Sequence, residues 1–298
     1  MSQVKITDPL AKPRGWAVVK AYVEMTKPRI IELLLLTTVP AMVVAAGGWP
    51  GTWLVVATLV GGTLSAAGAN VINQVVDRDI DAKMRRTRRR PIPTERVSPA
   101  AATRFGVVLG IAGFALLWAT TNLLAAALAT AGLLFYVFVY TLYLKRTSVQ
   151  NIVIGGAAGA VPPLVGWAAV TGEVALPAWI MFAIVFYWTP PHFWALSLRY
   201  EEDYAAAGVP MLPVVRGVPT TLDHIFRYSA VVVCVSLMLA VSPRVGLVYL
   251  ATAVVLGIGL IAGAWRLKRR PELAMRFFGY TNLYLAGLFL AMLLDTYI

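Results

Sequence analysis

Charge is scarce in this chain. Asp, Glu, Lys and Arg make up 13% of its 298 residues, against about 25% in an average soluble domain. With 59% hydrophobic residues and a mean hydropathy of +0.74, that deficit excludes an ordinary soluble globule. Cysteine is reduced to Cys234, which excludes an internal disulfide and a thiolate metal cluster. The first 28 residues lack the short apolar core of a secretory signal. They contain Asp8 and Glu24 and are not rich in Arg and Ser, so a mitochondrial transit peptide is not expected either. Alternating apolar and polar strands are also missing, and a transmembrane barrel needs them. Backbone groups in lipid must then be satisfied within helices. The sequence predicts an all-α integral membrane protein.

The few charges are clustered. Residues 33–76, 105–144 and 174–198 carry none. A helix needs about 20 apolar residues to cross a bilayer, so the first two runs each hold two spans. They break at the turn signals Gly47–Gly48–Trp49–Pro50–Gly51 and Thr120–Thr121–Asn122. About nine transmembrane helices are expected, near 29–47, 52–76, 102–120, 123–143, 150–170, 176–198, 224–243, 246–265 and 277–295, in one domain covering 1–298. With the N-terminus inside, the inside segments hold 25 of the 26 Lys and Arg residues, leaving Arg244 outside. That asymmetry follows the positive-inside rule. It places the N-terminus in the cytoplasm of a cell whose inner membrane holds the protein, and a bacterial inner membrane fits best. The formal charge of +12 then reads as topology, with the lipid bilayer as partner and no nucleic acid. Gly61–Gly62, Gly68 and the run Gly155–Gly156–Ala157–Ala158–Gly159 are expected to let helices approach closely.

The second expected span ends in Asn70, Asn73, Asp77, Asp79 and Asp81. At about 100° per residue, Asn70, Asn73, Asp77 and Asp81 share an arc of roughly 80°, and Asp79 points the opposite way. Polar side chains at a span's end are costly and usually functional. Oxygen ligands at this spacing suit Mg²⁺, which takes one or two carboxylates together with substrate phosphates and water. The plainer alternative is a solvated helix end beside neutralising arginines, which does not explain the face shared with two asparagines. Lys83, Arg85, Arg86, Arg88, Arg89 and Arg90 follow, closed by Pro91. Most of them suit an anchor on anionic lipid. Arg86 and Arg90, four apart, would share one face if a short helix forms, and arginine pairs well with phosphate.

The sixth expected span ends Thr189–Pro190–Pro191–His192–Phe193–Trp194, then Arg199 and Asp203. The two prolines are expected to kink it. If the helix resumes after them, His192, Arg199 and Asp203 fall within about 40° of one face. His224, the other histidine, reads as an amphipathic interface residue.

Asn73-x-x-x-Asp77-x-x-x-Asp81 followed by Arg86–Thr87-x-x-Arg90–Pro91 resembles the signature of the UbiA-type intramembrane prenyltransferase superfamily. Aromatic-prenyltransferase members usually carry a second pair of carboxylates four apart. Here Arg199 occupies the first of those positions and Asp203 the second. With the Thr-Pro-Pro-His-Phe-Trp run, Gly208–Val–Pro–Met–Leu–Pro and Gly155–Gly–Ala–Ala–Gly–Ala–Val–Pro–Pro, the chain looks like the haem-farnesylating branch, from about Lys27–Pro28–Arg29 to the last span.

The resemblance implies helices around a central cavity open to the cytoplasmic side. It implies farnesyl transfer from farnesyl diphosphate to a vinyl group of haem B, with water added, giving haem O. It also implies Mg²⁺ on Asn73, Asp77, Asp81 and Asp203, with Asn70, Arg86, Arg90, Lys145, Arg146 and Arg199 as substrate contacts. His192 would be an iron ligand or a general base, and Arg199 a propionate partner. A downstream haem-modifying enzyme would be a further partner. A quinone or chlorophyll-type acceptor is the nearer alternative, opposed by His192 and Arg199. A transporter is the farther one, opposed because transport sites lie near the bilayer midplane.

Overall fold

The computed structural model describes residues 15–298, except the side chains of 29–35 and 241. Expectations resting on Lys5, Asp8, Lys12, Arg14 and the Arg29 side chain lie outside the described residues. The elements are α1 (Trp16–Thr26), α2 (Pro28–Ala46), α3 (Thr52–Val76), α4 (Arg78–Lys83), α5 (Pro99–Thr120), α6 (Leu123–Thr147) and α7 (Asn151–Thr171). They continue with α8 (Leu176–Arg199), α9 (Glu201–Ala206), α10 (Leu212–Met238), α11 (Leu247–Arg269) and α12 (Pro271–Asp295). Among the described residues no strand occurs.

Apart from the short α1, α4 and α9, each helix coincides with one expected span. Seven of these helices are long and apolar enough to cross a membrane. The other two expected spans correspond to α2, with 19 residues, and α8, with 24. In α8 the polar run around Pro190 and His192 dilutes the apolar composition.

The turns fall where the sequence signals them. Between α2 and α3, Gly47, Gly48 and Gly51 all take positive φ, at 67°, 156° and 101°, which side chains with a Cβ disfavour. Asn122 caps α6 by accepting from Ala125 N at 2.9 Å, and it donates to Ala168 O at 2.7 Å. The boundaries near the basic loops differ from expectation. The span expected from residue 224 begins at Leu212, broken at Gly217 (φ 77°, ψ 166°). Glycine there and Pro219 just after it make the segment read as a loop. No helix forms around Arg86 and Arg90: residues 85–97 are successive turns, because Pro91 and Pro93 bar the preceding residues from the helical region.

Helices α3 and α5 meet through glycine. A Cβ on Gly68 would stand 2.7 Å from Gly106 O, and one on Gly113 2.8 Å from Ser65 N. Small residues give this close approach where lipid supplies no hydrophobic drive. The lone exception to the basic asymmetry has local partners: Arg244 donates to Val44 O at 3.0 Å and Ala45 O at 2.8 Å, capping α2.

Candidate functional site

At the end of α3 the backbone runs almost unbroken into α4, since Asp77 N donates to Asn73 O and Asp81 N to Asp77 O. One face is therefore kept across the junction. Asn70, Asn73, Asp77 and Asp81 are all buried, Asp77 completely, whereas the Asp79 side chain is 58% exposed. Burying two carboxylates is expensive unless each is paired and hydrogen-bonded. The surrounding elements supply the pairs. Lys145 binds Asp77 Oδ2, and Arg90 Nη1 reaches both Asp81 oxygens, at 2.9 and 2.7 Å. Asn73 Nδ2 donates to Asp77 Oδ2 at 2.7 Å and to Thr141 Oγ1 at 3.1 Å. Asp77 Oδ1 is buried with no hydrogen-bond donor, and Arg146 Nη2 stands 3.7 Å from it. A buried carboxylate oxygen left bare beside others already in use is what a hard cation would complete.

The π-helical stretch Phe135–Leu144 within α6 carries Thr141, which donates to Tyr136 O five residues back. Such bulges are frequent at functional sites, and Lys145 follows directly. Arg146 takes up Asp79 at 2.8 Å on both carboxylate oxygens and Val76 O at 2.9 Å. That guanidinium holds the Asp79 carboxyl down, to about 2.

Lys27 also belongs to the site, and its role is not legible from motif spacing. It sits between α1 and α2 in the left-handed region (φ 54°) and donates from Nζ to Asn73 Oδ1 at 2.8 Å. Gln74 and Asn70 tie down the carbonyls just before it, those of Met25 at 2.7 Å and Thr26 at 3.1 Å. Burial, then the charges of Arg90 and Lys145, push its ammonium down to about 7. The sequence signal was present as Lys27–Pro28, a cation at the door of the first span.

The second constellation is not drawn together in the same way. Helix α8 runs through Pro190 and Pro191 without ending. Proline lacks the N–H that would bond four residues back, so this ladder loses its donors to Phe186 O and Tyr187 O. His192 is stacked between Trp188 and Phe278, each ring 4.2 Å away. Its Nδ1 lies 2.7 Å from Thr281 Oγ1, which donates its only proton to Phe278 O at 2.7 Å. Thr281 therefore accepts, His192 carries its proton on Nδ1, and Nε2 keeps a free lone pair.

Arg199 and Arg86 both stand over the Tyr200 ring, at 6.0 and 5.9 Å. Asp203 faces Arg85 Nε at 3.8 Å rather than Asp77 or Asp81. Among the described residues no three His, Cys, Asp or Glu side chains assemble a metal cluster. Arg86 and Arg90 thus go to different partners, Tyr200 and Asp81, and Asp203 goes to Arg85.

Behind the first cluster lies an apolar cleft of about 160 Å³ between α2, α3, α6 and α7. Asn70 and Tyr136 form its polar end. The fold and site therefore define a multi-pass membrane protein with a cation-rich polar site joined to an apolar cleft.

The model of the UbiA prenyltransferase family matches residues 34–293, and the chain belongs to that family. A Symbiobacterium thermophilum protein named protoheme IX farnesyltransferase is 56% identical over 282 residues, 93% of this chain and 94% of its own. A Thermus thermophilus protein of the same name is 52% identical over 94% of this chain, which spans 46% of that relative's length. A UbiA homolog from Archaeoglobus fulgidus, solved with DMAPP and Mg²⁺, shares the fold with a TM-score of 0.66 and 16% identity, over 91% of this chain and 99% of that one.

Proposed function

We propose that the protein transfers the farnesyl group of farnesyl diphosphate to a vinyl group of haem B, with addition of water, giving haem O. The observation that carries this is the junction at Asn70, where a ring of cations on buried carboxylates meets an apolar cleft. A diphosphate with an apolar tail fits both halves. The name shared by the more similar relatives supports haem as acceptor, as does the free Nε2 of His192.

The residues fit Mg²⁺. Asn73, Asp77 and Asp81 would hold it, with the bare Asp77 Oδ1 as first ligand. Because Mg²⁺ takes one or two carboxylates plus phosphate and water, no three-carboxylate cluster is required, and Asp203, paired with Arg85, would join only once substrate is present. When bound, the ion supplies charge neutralisation for the departing diphosphate.

Lys27, Arg90, Lys145 and Arg146 bind the diphosphate oxygens and stabilise the negative charge that grows as the allylic C–O bond breaks. The electron pair leaves with the diphosphate. The cleft holds the tail and keeps water from the allylic cation, and the Tyr136 ring at its mouth offers a π face to that charge. The vinyl π pair forms the new C–C bond, and water then adds to the resulting carbocation and releases one proton. Arg199 and Arg86, held over Tyr200, pair with haem propionates. His192 meets haem through Nε2, as iron ligand or as base for the water. The N-terminus lies in the cytoplasm, in a bacterial inner membrane, and the product passes to a downstream haem-modifying enzyme.

Purified protein given haem B, farnesyl diphosphate and Mg²⁺ should yield a haem heavier by one farnesyl and one hydroxyl group, read by mass spectrometry. Unmodified haem alongside a prenylated aromatic acid or quinone precursor, when those are offered together, would mean the acceptor is wrong.

A further inference from the structure

Two glycines in the cleft serve neither packing nor backbone conformation. A Cβ added to Gly62 or Gly159 meets nothing within 4 Å, and neither has positive φ. Their neighbours differ: a Cβ on Gly61 would stand 2.6 Å from Leu117 Cγ, and one on Gly155 2.3 Å from Tyr140 Cδ2. Glycine inside a helix costs about 1 kcal/mol against alanine. What Gly62 and Gly159 provide is room, because both line the cleft from facing helices.

Depth can be measured along α3. Gly62 lies eight residues from Asn70, and Thr58, also lining the cleft, twelve; at about 1.5 Å per residue these are depths of roughly 12 and 18 Å. An isoprene unit adds four bonds of about 1.5 Å along its chain, so three extended units reach about 15 Å and four about 20 Å. Gly62 is then abreast of the third unit. Thr58 on α3 and Val165 on α7 line the deeper part of the cleft, where a fourth unit would have to go.

We infer that Gly62 and Gly159 are chain-length determinants: they leave room for a third isoprene unit, and Thr58 and Val165 exclude a fourth. The inference rests on the proposed use of the cleft by a prenyl diphosphate, but it does not depend on the acceptor.

The test is binding of geranyl, farnesyl and geranylgeranyl diphosphate to the purified full chain with Mg²⁺, by calorimetry, with haem turnover read separately. One methylene too many in an apolar pocket costs about tenfold or more. Gly62→Leu and Gly159→Leu should each shift the farnesyl-to-geranyl affinity ratio toward geranyl by at least about tenfold. Val165→Ala should raise geranylgeranyl affinity relative to farnesyl. Gly61→Leu, which strikes Leu117 instead, should lower all three together. An unchanged ratio in Gly62→Leu and Gly159→Leu, or equal loss for all donors, overturns the ruler. Shifted ratios without any haem product would leave the ruler standing and remove the acceptor assignment.

Discussion

The two polar constellations sit at neighbouring helix ends yet are built on different principles. The cluster at the α3–α4 junction is closed. Asn73, Asp77 and Asp81 are buried, and Lys27, Lys145 and Arg90 saturate them, with Asp77 Oδ1 bare. The cluster at the end of α8 is open: Arg199 and Arg86 rest on Tyr200, and Asp203 takes a long contact to Arg85. His192 there is fixed by two stacked rings and Thr281, and Asp203 is buried. A closed ion network is preorganised for one charge distribution, whereas an open set of arginines can adapt to a large flat ligand. The difference assigns diphosphate chemistry to the first region and acceptor positioning to the second.

The comparison is broken most easily at its closed end. Asp77→Asn and Asp81→Asn should each lower turnover by about a thousandfold, because both delete a charge on which ion and cations converge. Removing one partner of a buried pair also costs roughly 3–5 kcal/mol of stability, so thermal unfolding in detergent must be read beside turnover. Asp81→Asn with near-native turnover would show that the network is structural only. Lys145→Met should follow at about a hundredfold, mainly in kcat, since its cation is of most use as the leaving group gains charge. A pure rise in KM would mean that Lys145 binds the diphosphate equally before and during bond breaking.

The open end is sharpened by His192. His192→Ala should weaken haem binding by about tenfold to a hundredfold, whereas His224→Ala should not, because His224 Nδ1 is spent on Thr220 O at 2.9 Å. Thr281→Val, which frees the Nδ1 proton, should give a smaller loss with a changed haem absorption band, and Thr281→Ser should restore both. Partners behind a ligating histidine carry about 10–100-fold effects. Equal behaviour of His192→Ala and His224→Ala would remove His192 from the acceptor side.

Much of the closed cluster was legible in the sequence because helical periodicity persists across residues 70–81. Asn73, Asp77 and Asp81 follow one face through Asp77 with no break in register. Lys145 and Arg146 could be suspected only from their place at a span's end, since nothing local reveals the π-helical stretch that delivers Thr141 and Lys145 to Asp77. Lys27 was hidden because its placement depends on Gln74 and Asn70 gripping carbonyls more than forty residues away. The second constellation misled more. A helical wheel puts His192, Arg199 and Asp203 on one face, but α8 ends at Arg199 and α9 starts afresh at Glu201. The His192 side chain is also claimed by α12 through Phe278 and Thr281, a long-range contact no wheel contains.

The smallest expected effect marks the border between the two regimes. Asp79 follows Asp77 by two residues, and it too meets a cation, with Arg146 at 2.8 Å on both oxygens. Charge alone would rank it with Asp77. Burial ranks it elsewhere, because its side chain is 58% exposed and that of Arg146 31%. Exposed ion pairs contribute roughly 0.2–1 kcal/mol, so Asp79→Asn should lower turnover by no more than about fivefold. Arg146 would keep its bond to Val76 O and its place beside Asp77 Oδ1. Arg146→Gln should cost more than Asp79→Asn, since it removes a cation from the diphosphate site and not merely its tether. Turnover of the two single variants and the double variant decides the matter. If the double variant is no worse than Arg146→Gln alone, Asp79 acts only by orienting Arg146. If Asp79→Asn is as damaging as Asp77→Asn, burial does not separate the closed network from its rim, and the division of the site into two regimes is wrong.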